Sequence, residues 1–333
     1  MYPVSLTSRV ACRLREWTGL QTRAEERATG GAVLVYHGVL ARVRDPILDL
    51  YAIDAATFRS HLQFLVRRGT VVPLRTMVER LVRREEVPRQ WVSITLDDAL
   101  ENQVTTAAGL LADEGLPWSL AVPAGLVDTG RSIWTYELRL LVLEHWPFPN
   151  IPWPFEEGGE LRTGSAGDKR AALRQMLSYL FAKVEDGERM AYIDGLIDRC
   201  GRGDFLGRIA DDARFRLASW TQLRSLQHSG VELLSHGWRH RPQNETTGPG
   251  ALAEEIEGSR RLMGERLGQA PAGFALPHGV SSSETPELIT RAGYTYCLST
   301  QPRRLRSGAD LRHLPRFAGE YPLAVLRRYL LWQ

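Results

Sequence analysis

Two apolar, strand-like segments of the sequence each run directly into side chains that can bind a metal ion. The first ends at Asp97 and Asp98, and the second ends near His236 and His240. Two histidines four residues apart can share one face of a helical turn, with Cβ atoms about 5–6 Å apart. Both imidazoles could then reach one metal at roughly 2.0–2.1 Å. The carboxylates offer a third ligand, so we predict one metal site at a shared edge of one sheet.

The alternation of strand-like and helix-like segments predicts the scaffold that must position these residues. Short apolar strands alternate with amphipathic stretches that end at glycine, which favours a parallel sheet. About seven such units fit an α/β fold of the distorted (β/α) barrel type, in which the C-terminal ends of the strands face one mouth. The residues expected at that mouth are Asp97, Asp98, His236, His278 and Arg316.

Residues 128–216 interrupt this alternation. The segment 147–154 contains four prolines, which exclude a regular helix or sheet interior because proline has no backbone N–H. Helical patterns flank it on both sides. We interpret 128–216 as a helical insertion within one barrel domain, residues 31–333, which follows an N-terminal extension, residues 1–30.

Three motifs resemble those of the polysaccharide deacetylases with a NodB homology domain, carbohydrate esterase family 4. The family's Thr-Phe-Asp-Asp-Gly is similar to residues 95–99, Thr-Leu-Asp-Asp-Ala. Its His-x-x-x-His motif followed by proline is similar to residues 236–242, and its Arg-x-Pro-Tyr/Phe-Gly to residues 275–279, Ala-Leu-Pro-His-Gly. Order and spacing agree from about residue 31 onward. The closest pattern is that of the poly-N-acetylglucosamine deacetylase-like subset.

The resemblance implies roles for the residues at the mouth. Asp98, His236 and His240 would bind one divalent metal ion, with zinc expected and cobalt, nickel or manganese as alternatives, and Asp97 would be the general base. Three protein ligands with an open position suit a catalytic metal. The zinc-protease pattern His-Glu-x-x-His is excluded because Gly237 stands where its glutamate should be.

Three positions depart from the family pattern. Ala99 replaces a glycine, and we expect it to have a negative φ. Ala275 replaces the arginine that orients the base; the subset that lacks this arginine has Leu-Pro-Arg near its end, and residues 314–316 match it. We therefore expect Arg316 to contact Asp97. His278 replaces the usual tyrosine or phenylalanine.

The general acid and the sugar-binding residues are less defined by the sequence. His278 is one candidate acid, and His313, in the Leu-x-His spelling of residues 311–313, is the other. His37, at the end of an early strand, is interpreted as structural. The residues predicted to contact the sugar are Trp134, Trp238, Pro277 and Gly279.

Composition and charge limit the class of protein. The chain has 333 residues, a formal net charge of +3 and three cysteines. A slight charge without blocks of like sign predicts no nucleic-acid partner, and an odd, widely spaced set of cysteines favours a reducing compartment. We expect a cytoplasmic location.

Two basic amphipathic segments, residues 8–20 and residues 324–332, leave two interpretations open. They could contact the inner membrane face peripherally, which requires Leu14, Trp17 and Trp332 to be accessible. Alternatively, they close the barrel and bury those side chains.

The predicted function is metal-dependent removal of acetyl from an N-acetylated sugar. A cytoplasmic location favours a nucleotide sugar, a small glycoside or a lipid-linked saccharide over a mature secreted polymer, and the two amphipathic segments favour the lipid-linked saccharide. The alternatives are a deacylase of another amide and a degenerate carbohydrate-binding protein on the same fold.

Overall fold

The computed structural model describes residues 30–155, 159–244 and 246–330. The predicted N-terminal segment, residues 8–20, and Trp332 lie outside these ranges. The membrane interpretation, which depends on them, stays a prediction.

Strands recur along the chain at the places where the apolar segments predict them. In chain order they are β1 (Ala32–Tyr36), β2 (Val39–Leu40), β3 (Ile53–Asp54), β4 (Thr70–Val71), β5 (Trp91–Leu96), β6 (Trp118–Val122), β7 (Asn150–Pro152), β8 (Glu160–Arg162), β9 (Glu232–Ser235), β10 (Gly273–Ala275), β11 (Tyr296–Leu298) and β12 (Phe317–Ala318).

Helices separate most of these strands. They are α1 (Ala55–Arg68), α2 (Leu74–Val82), α3 (Ala108–Asp113), α4 (Trp134–Leu140), α5 (Ala166–Lys183), α6 (Asp186–Arg199), α7 (Arg202–Ala210), α8 (Trp220–His228), α9 (Pro249–Ala253), α10 (Ser259–Leu267), α11 (Thr285–Arg291) and α12 (Leu323–Leu330). Single π-helical turns precede α3, follow α4 and join α9 to α10.

The main sheet has eight strands and is parallel at every pairing. Its order is β11-β10-β9-β6-β5-β1-β12, with β4 paired to the start of β5. Its two edges meet on one segment, because Leu314 bridges Leu298 of β11 while Phe317 pairs with Leu34 of β1. The prediction of a distorted (β/α) barrel is confirmed.

Alternation along the strands separates an inner core from an outer core. Val33, Ala121, Leu234 and Leu298 point into the barrel and form one apolar cluster, which α2 completes from one end. The residues between them face the surrounding helices. Since side chains alternate with a period of two, the inward set of each strand extends directly to the residue at its C-terminal end.

The described part of residues 128–216, the interrupted region, packs on the outside of the barrel and shares its core. Buried side chains of α4, α5, α6 and α7 belong to the same cluster as the outward side chains of β1, β5 and β6. The proline-rich stretch contributes β7, one strand of an antiparallel hairpin with β8. Within residues 128–155 and 159–216, the buried apolar side chains therefore form no hydrophobic core separate from that of the barrel.

The C-terminal helix α12 covers part of α1. Leu326 and Leu330 are buried in the outer core, and the Arg327 guanidinium lies 5.3 Å from the ring centre of Phe64. The burial of these two leucines agrees with the interpretation that the C-terminal segment closes the barrel. Across the described ranges, no helix combines the length and the apolar character that a membrane crossing requires.

Candidate metal centre and catalytic site

The two carboxylates at the end of β5 face the same site because the backbone breaks between them. Adjacent residues of a strand point to opposite faces, and Asp97 continues the inward set of Ser93 and Thr95. Asp98 reaches the same side with φ +87°, and Ala99 follows with φ +51°. The expectation of a negative φ at Ala99 is therefore wrong, and the left-handed turn explains why glycine suits this position in the family motif.

The two histidines converge from a loop and not from a helical turn, which corrects the geometry expected from their spacing. His236 continues the inward set of β9, and the chain then turns through Gly237, φ +82°, to His240, φ +59°. The His236 Nδ1 lies 2.8 Å from the carbonyl oxygen of Ala275, which can only accept. Nδ1 therefore carries the proton and Nε2 presents a lone pair, the usual arrangement of a metal-binding histidine.

The structure brings Asp98, His236 and His240 together as three buried ligand atoms. The two Nε2 atoms are 3.1 Å apart, and Asp98 Oδ1 lies 3.4 Å from His236 Nε2 and 3.3 Å from His240 Nε2. Ligands at 2.0–2.1 Å from a tetrahedral zinc ion stand about 3.3–3.4 Å apart. Among the described residues, Asp98 Oδ1 has no hydrogen-bond donor. The three side chains thus fit a single divalent ion.

Protonation of this group also suits a metal. Burial alone would raise the pKa of Asp98, but the adjacent imidazoles of His236 and His240 hold that pKa well below its usual value. Burial, and then the nearby His236, lower the pKa of His240. A carboxylate and neutral imidazoles are the protonation states in which these side chains bind metals.

Asp97 is held by Arg316 across the barrel. The guanidinium donates from Nη1 to Oδ1 and from Nη2 to Oδ2, both at 2.7 Å, and from Nε to the carbonyl oxygen of Ser299 at 2.9 Å. Arg316 is fully buried. Burial would raise the pKa of Asp97, but Arg316 and then His236 hold it below its usual value. The contact expected from Leu-Pro-Arg is present, and its catalytic role stays a prediction.

The interrupted region supplies one wall of the site. The Tyr136 hydroxyl of α4 donates to Asp98 Oδ2 at 2.6 Å. The rings of Trp134 and Phe181 lie with their centres 6.0 and 5.2 Å from that of His278, which in turn lies 4.5 Å from His240. Trp134 is only 3% exposed, so it forms part of the wall and offers little ring surface to a sugar.

A buried glutamate fixes the loop between the two histidine ligands. Glu255 accepts from the backbone N–H groups of Trp238, Arg239 and Arg241 at 3.1, 2.7 and 3.2 Å. A Cβ at Gly237 would lie 2.2 Å from Glu255 Oε2, so glycine is required for the carboxylate to approach. Burial raises the pKa of Glu255 to about 7. No motif in the sequence pointed to this residue, which lies 15 positions beyond His240.

His37, interpreted from the sequence as structural, lies at the same mouth. Its Nδ1 is 2.6 Å from Glu320 Oε1, and both side chains are 13% exposed. Burial lowers the pKa of His37, but Glu320, Asp98 and Asp97 together raise it to about 9. The signal available in the sequence was its position at the C-terminal end of β1, beside the end of β5.

The remaining predicted residues have different surroundings. Trp238 packs against the backbones of Gly125 and Gly258. His313 lies on a short turn before the last strand, with its Nδ1 near the carbonyl oxygen of Arg312 at the surface. The structure thus places His313 outside the site, because the inward set of that segment runs through Leu314 to Arg316.

The turn Pro277–Gly279 lies beside the histidine loop. Pro277 is buried, and its Cγ would lie 3.4 Å from a Cβ at Gly237. Gly279 has φ +68°, and a Cβ there would overlap the Thr300 side chain. Both residues therefore shape the site, and their contact with a sugar stays a prediction.

Comparison of the sequence with protein-family models gives a match over part of the chain. The family model described as polysaccharide deacetylase matches residues 192–297, which include His236 and His240 but not the Asp97–Asp98 pair. A comparison with curated protein sequences gave no match.

Three solved structures share the fold over about nine tenths of the chain. The Streptococcus pyogenes deacetylase PplD is 14% identical with a TM-score of 0.58, covering 91% of this chain and 99% of its own. IcaB from Ammonifex degensii is 17% identical with a TM-score of 0.57, covering 92% and 97%. A de-N-acetylase from Aggregatibacter actinomycetemcomitans is 15% identical with a TM-score of 0.55, covering 90% and 98%. The resemblance to polysaccharide deacetylases is confirmed.

Proposed function

We propose that this protein is a metal-dependent hydrolase that removes acetyl groups from an N-acetylated sugar. The observation that carries the proposal is the convergence of Asp98, His236 and His240, with Asp97 beside them but bound to Arg316. The family match supports a carbohydrate deacetylase, and the metal and the sugar are the parts proposed here. We further propose zinc as the ion and the cytoplasm as the location.

The division of roles follows from the contacts of the two carboxylates. A divalent ion held by Asp98 and the histidines would lower the pKa of a bound water to about 7 and polarise the acyl oxygen. Asp97 has both oxygens fixed by Arg316, and its Oδ2 lies 3.8 Å from His236 Nε2. Its lowered pKa keeps it ionised at neutral pH, so it can accept a proton from the attacking water.

We assign the proton for the leaving amine to His37. Its pair with Glu320 orients the ring and favours the protonated form, and the side chain keeps some exposure at the mouth. His313 lies at the surface, on the short turn that precedes the last strand. His278 contacts the ring of His240 and the wall residues, so it is better placed to hold that ligand in orientation.

The central test measures both the metal content and the acetate release of the wild-type protein and its variants. Purified protein loaded with zinc should release acetate from N-acetylglucosamine glycosides. His240→Ala should lose about one equivalent of metal by elemental analysis, and its acetate release should fall to background. His228→Ala, at an exposed histidine of α8, is the matched control and should keep both. Equal metal content in wild type and His240→Ala would refute the ligand assignment.

The dependence of the reaction rate on pH above neutrality tests whether His37 is the general acid. A general acid must be protonated, so the rate should fall as pH rises through the pKa of His37, about 9. Glu320→Gln removes the largest of the charges that raise this pKa, and the fall should then move to lower pH. If the pH dependence of kcat/KM is the same in both proteins, a residue other than His37 is the general acid.

A further inference from the structure

Helix α4 directs a second polar side chain toward the metal ligands. Tyr136 and Arg139 are three residues apart and therefore share a helix face. The Tyr136 hydroxyl reaches Asp98, and the Arg139 guanidinium lies 5.1 Å from the Tyr136 ring centre and 5.8 Å from that of Tyr51. Tyr51 itself lies 5.4 Å from the ring of His37. Arg139 is thus enclosed between the two sides of the candidate site.

Arg139 is buried without a carboxylate of its own. It is 4% exposed, its Nε and Nη1 have no hydrogen-bond partner, and within the described ranges it forms no ion pair. Contact with aromatic rings stabilises a cation only modestly, and a guanidinium remains charged in proteins. Burial of an unpaired charge is costly, so a partner for Arg139 is expected.

Other buried arginines show what such a partner looks like here. Arg189 has no exposed surface and donates to Asp186 and to the carbonyl oxygens of Leu180 and Val184. Arg316 donates to both oxygens of Asp97. Arg139 differs from both because its Nε and Nη1 have no acceptor among the described residues, although the guanidinium packs on the ring of Tyr136 beside Asp98.

The charges around the site favour an anion. Arg316 balances Asp97, and Asp98 balances only one of the two charges of a divalent ion. Arg139 adds another positive charge on the same side. A negatively charged group bound there would balance this excess and satisfy the unpaired N–H groups.

We propose that Arg139 binds an anionic group of the substrate, so that the N-acetylated sugar carries a carboxylate or a phosphate. The planar guanidinium matches the oxygens of either group. The reaction and the charge contributed by a bound divalent ion rest on the proposed function, whereas the buried N–H groups of Arg139 that lack an acceptor do not.

Binding of inorganic phosphate to the zinc-loaded protein tests the anion site directly. By calorimetry, Arg139→Met should weaken binding about 10- to 100-fold, the range expected for lost hydrogen bonds to a charged group. Arg214→Met is the control, because Arg214 is paired with Asp49 and Asp212, and it should bind as wild type does. Absence of binding by wild type, or equal binding by Arg139→Met, would overturn the proposal.

Stability distinguishes a binding role from a structural one. Removal of an unpaired buried charge should leave Arg139→Met at least as stable as wild type in urea unfolding without ligand. Arg189→Met, which breaks a paired buried charge, should unfold at clearly lower urea. If Arg139→Met is destabilised as much as Arg189→Met, Arg139 serves the fold and the proposal fails.

The preference of the protein among different sugars shows whether the anionic group of the substrate is a phosphate or a carboxylate. For wild type, kcat/KM should be about 10- to 100-fold higher for N-acetylglucosamine 1-phosphate or for the corresponding uronic acid than for the neutral methyl glycoside. The better of the two identifies the anion, and Arg139→Met should lose the preference. A preference that persists in Arg139→Met overturns the assignment. If no sugar releases acetate while phosphate binding depends on Arg139, the proposed reaction fails and the anion site stands.

Discussion

Two polar clusters lie inside the same barrel on some of the same strands, and they differ in whether their hydrogen bonds are complete. In the deeper cluster, Glu232 of β9 accepts from Tyr296 at 2.7 Å and from Ser119 at 3.2 Å, one bond to each oxygen. At the mouth, His236, four residues later and directly after the end of the same strand, faces a carboxylate oxygen that lacks a donor. The first cluster is satisfied by the protein alone, whereas the second leaves a carboxylate oxygen that the proposed cation would satisfy.

The backbone shows the same contrast. Of the seven described non-glycine residues with positive φ, five lie around the mouth: Tyr51, Asp98, Ala99, His240 and His278. The β strands that carry the deeper cluster contain none of the seven. Such conformations cost free energy and persist where the surrounding fold enforces them. Incomplete hydrogen bonding and backbone strain at one place therefore distinguish a binding site from a stabilising polar contact.

The largest effect of a conservative change at the mouth should come from Asp97→Asn. The variant keeps the shape of the side chain but cannot accept the proton of the attacking water. We expect full metal content and a loss of about 10²–10⁴-fold in kcat. Acetate release and elemental analysis of the same sample measure both, and near-normal turnover would place the base elsewhere.

Arg316→Met should lower stability more than any change in the deeper cluster. It leaves Asp97 buried without its partner, which costs about 3–5 kcal/mol in unfolding free energy. The folded pKa of Asp97 is lowered in wild type, so the stabilisation from this pair is present above the unfolded pKa of about 3.9 and is lost as pH falls through the folded value.

Urea titrations of both proteins across pH test this prediction. The difference between wild type and Arg316→Met should shrink as the pH is lowered below about 4. A constant difference from pH 7 to pH 3 would show that packing of the arginine, and not its charge, stabilises the barrel.

In the deeper cluster, Glu232→Gln should affect stability alone. Replacing the charged acceptor by an amide should cost about 1 kcal/mol, because the hydroxyls of Ser119 and Tyr296 can still bond to it. Metal content and kcat should stay as in wild type. A loss of metal in this variant would show that the two clusters are coupled, and it would remove the contrast between them.

The smallest expected effect is at Ala99. Ala99→Gly relieves a left-handed alanine but increases the entropy of the unfolded chain, so the net gain in stability should be at most about 1 kcal/mol. Thermal unfolding of the metal-free protein measures it. A clear loss of stability would mean that the fully buried methyl group contributes more by packing than its backbone conformation costs.

Local sequence patterns were sufficient to predict part of the site. An apolar strand with a period of two places its next residue at a known edge, so Asp97 and His236 could be assigned to one mouth. The motif around Arg316 predicted a contact across 219 residues only because a family pattern links the two segments.

Tertiary structure alone decided the contacts that no local pattern encodes. His37 meets Glu320 across 283 residues, and Tyr136 of α4 meets Asp98, because barrel closure and packing of the interrupted region bring these segments together. The turns at Ala99 and His240 were likewise decided there, since convergence of Asp98, His236 and His240 required a left-handed backbone that residue type and spacing did not specify. A sequence sets which side chains reach a strand end, whereas closure and packing set which distant side chains they meet.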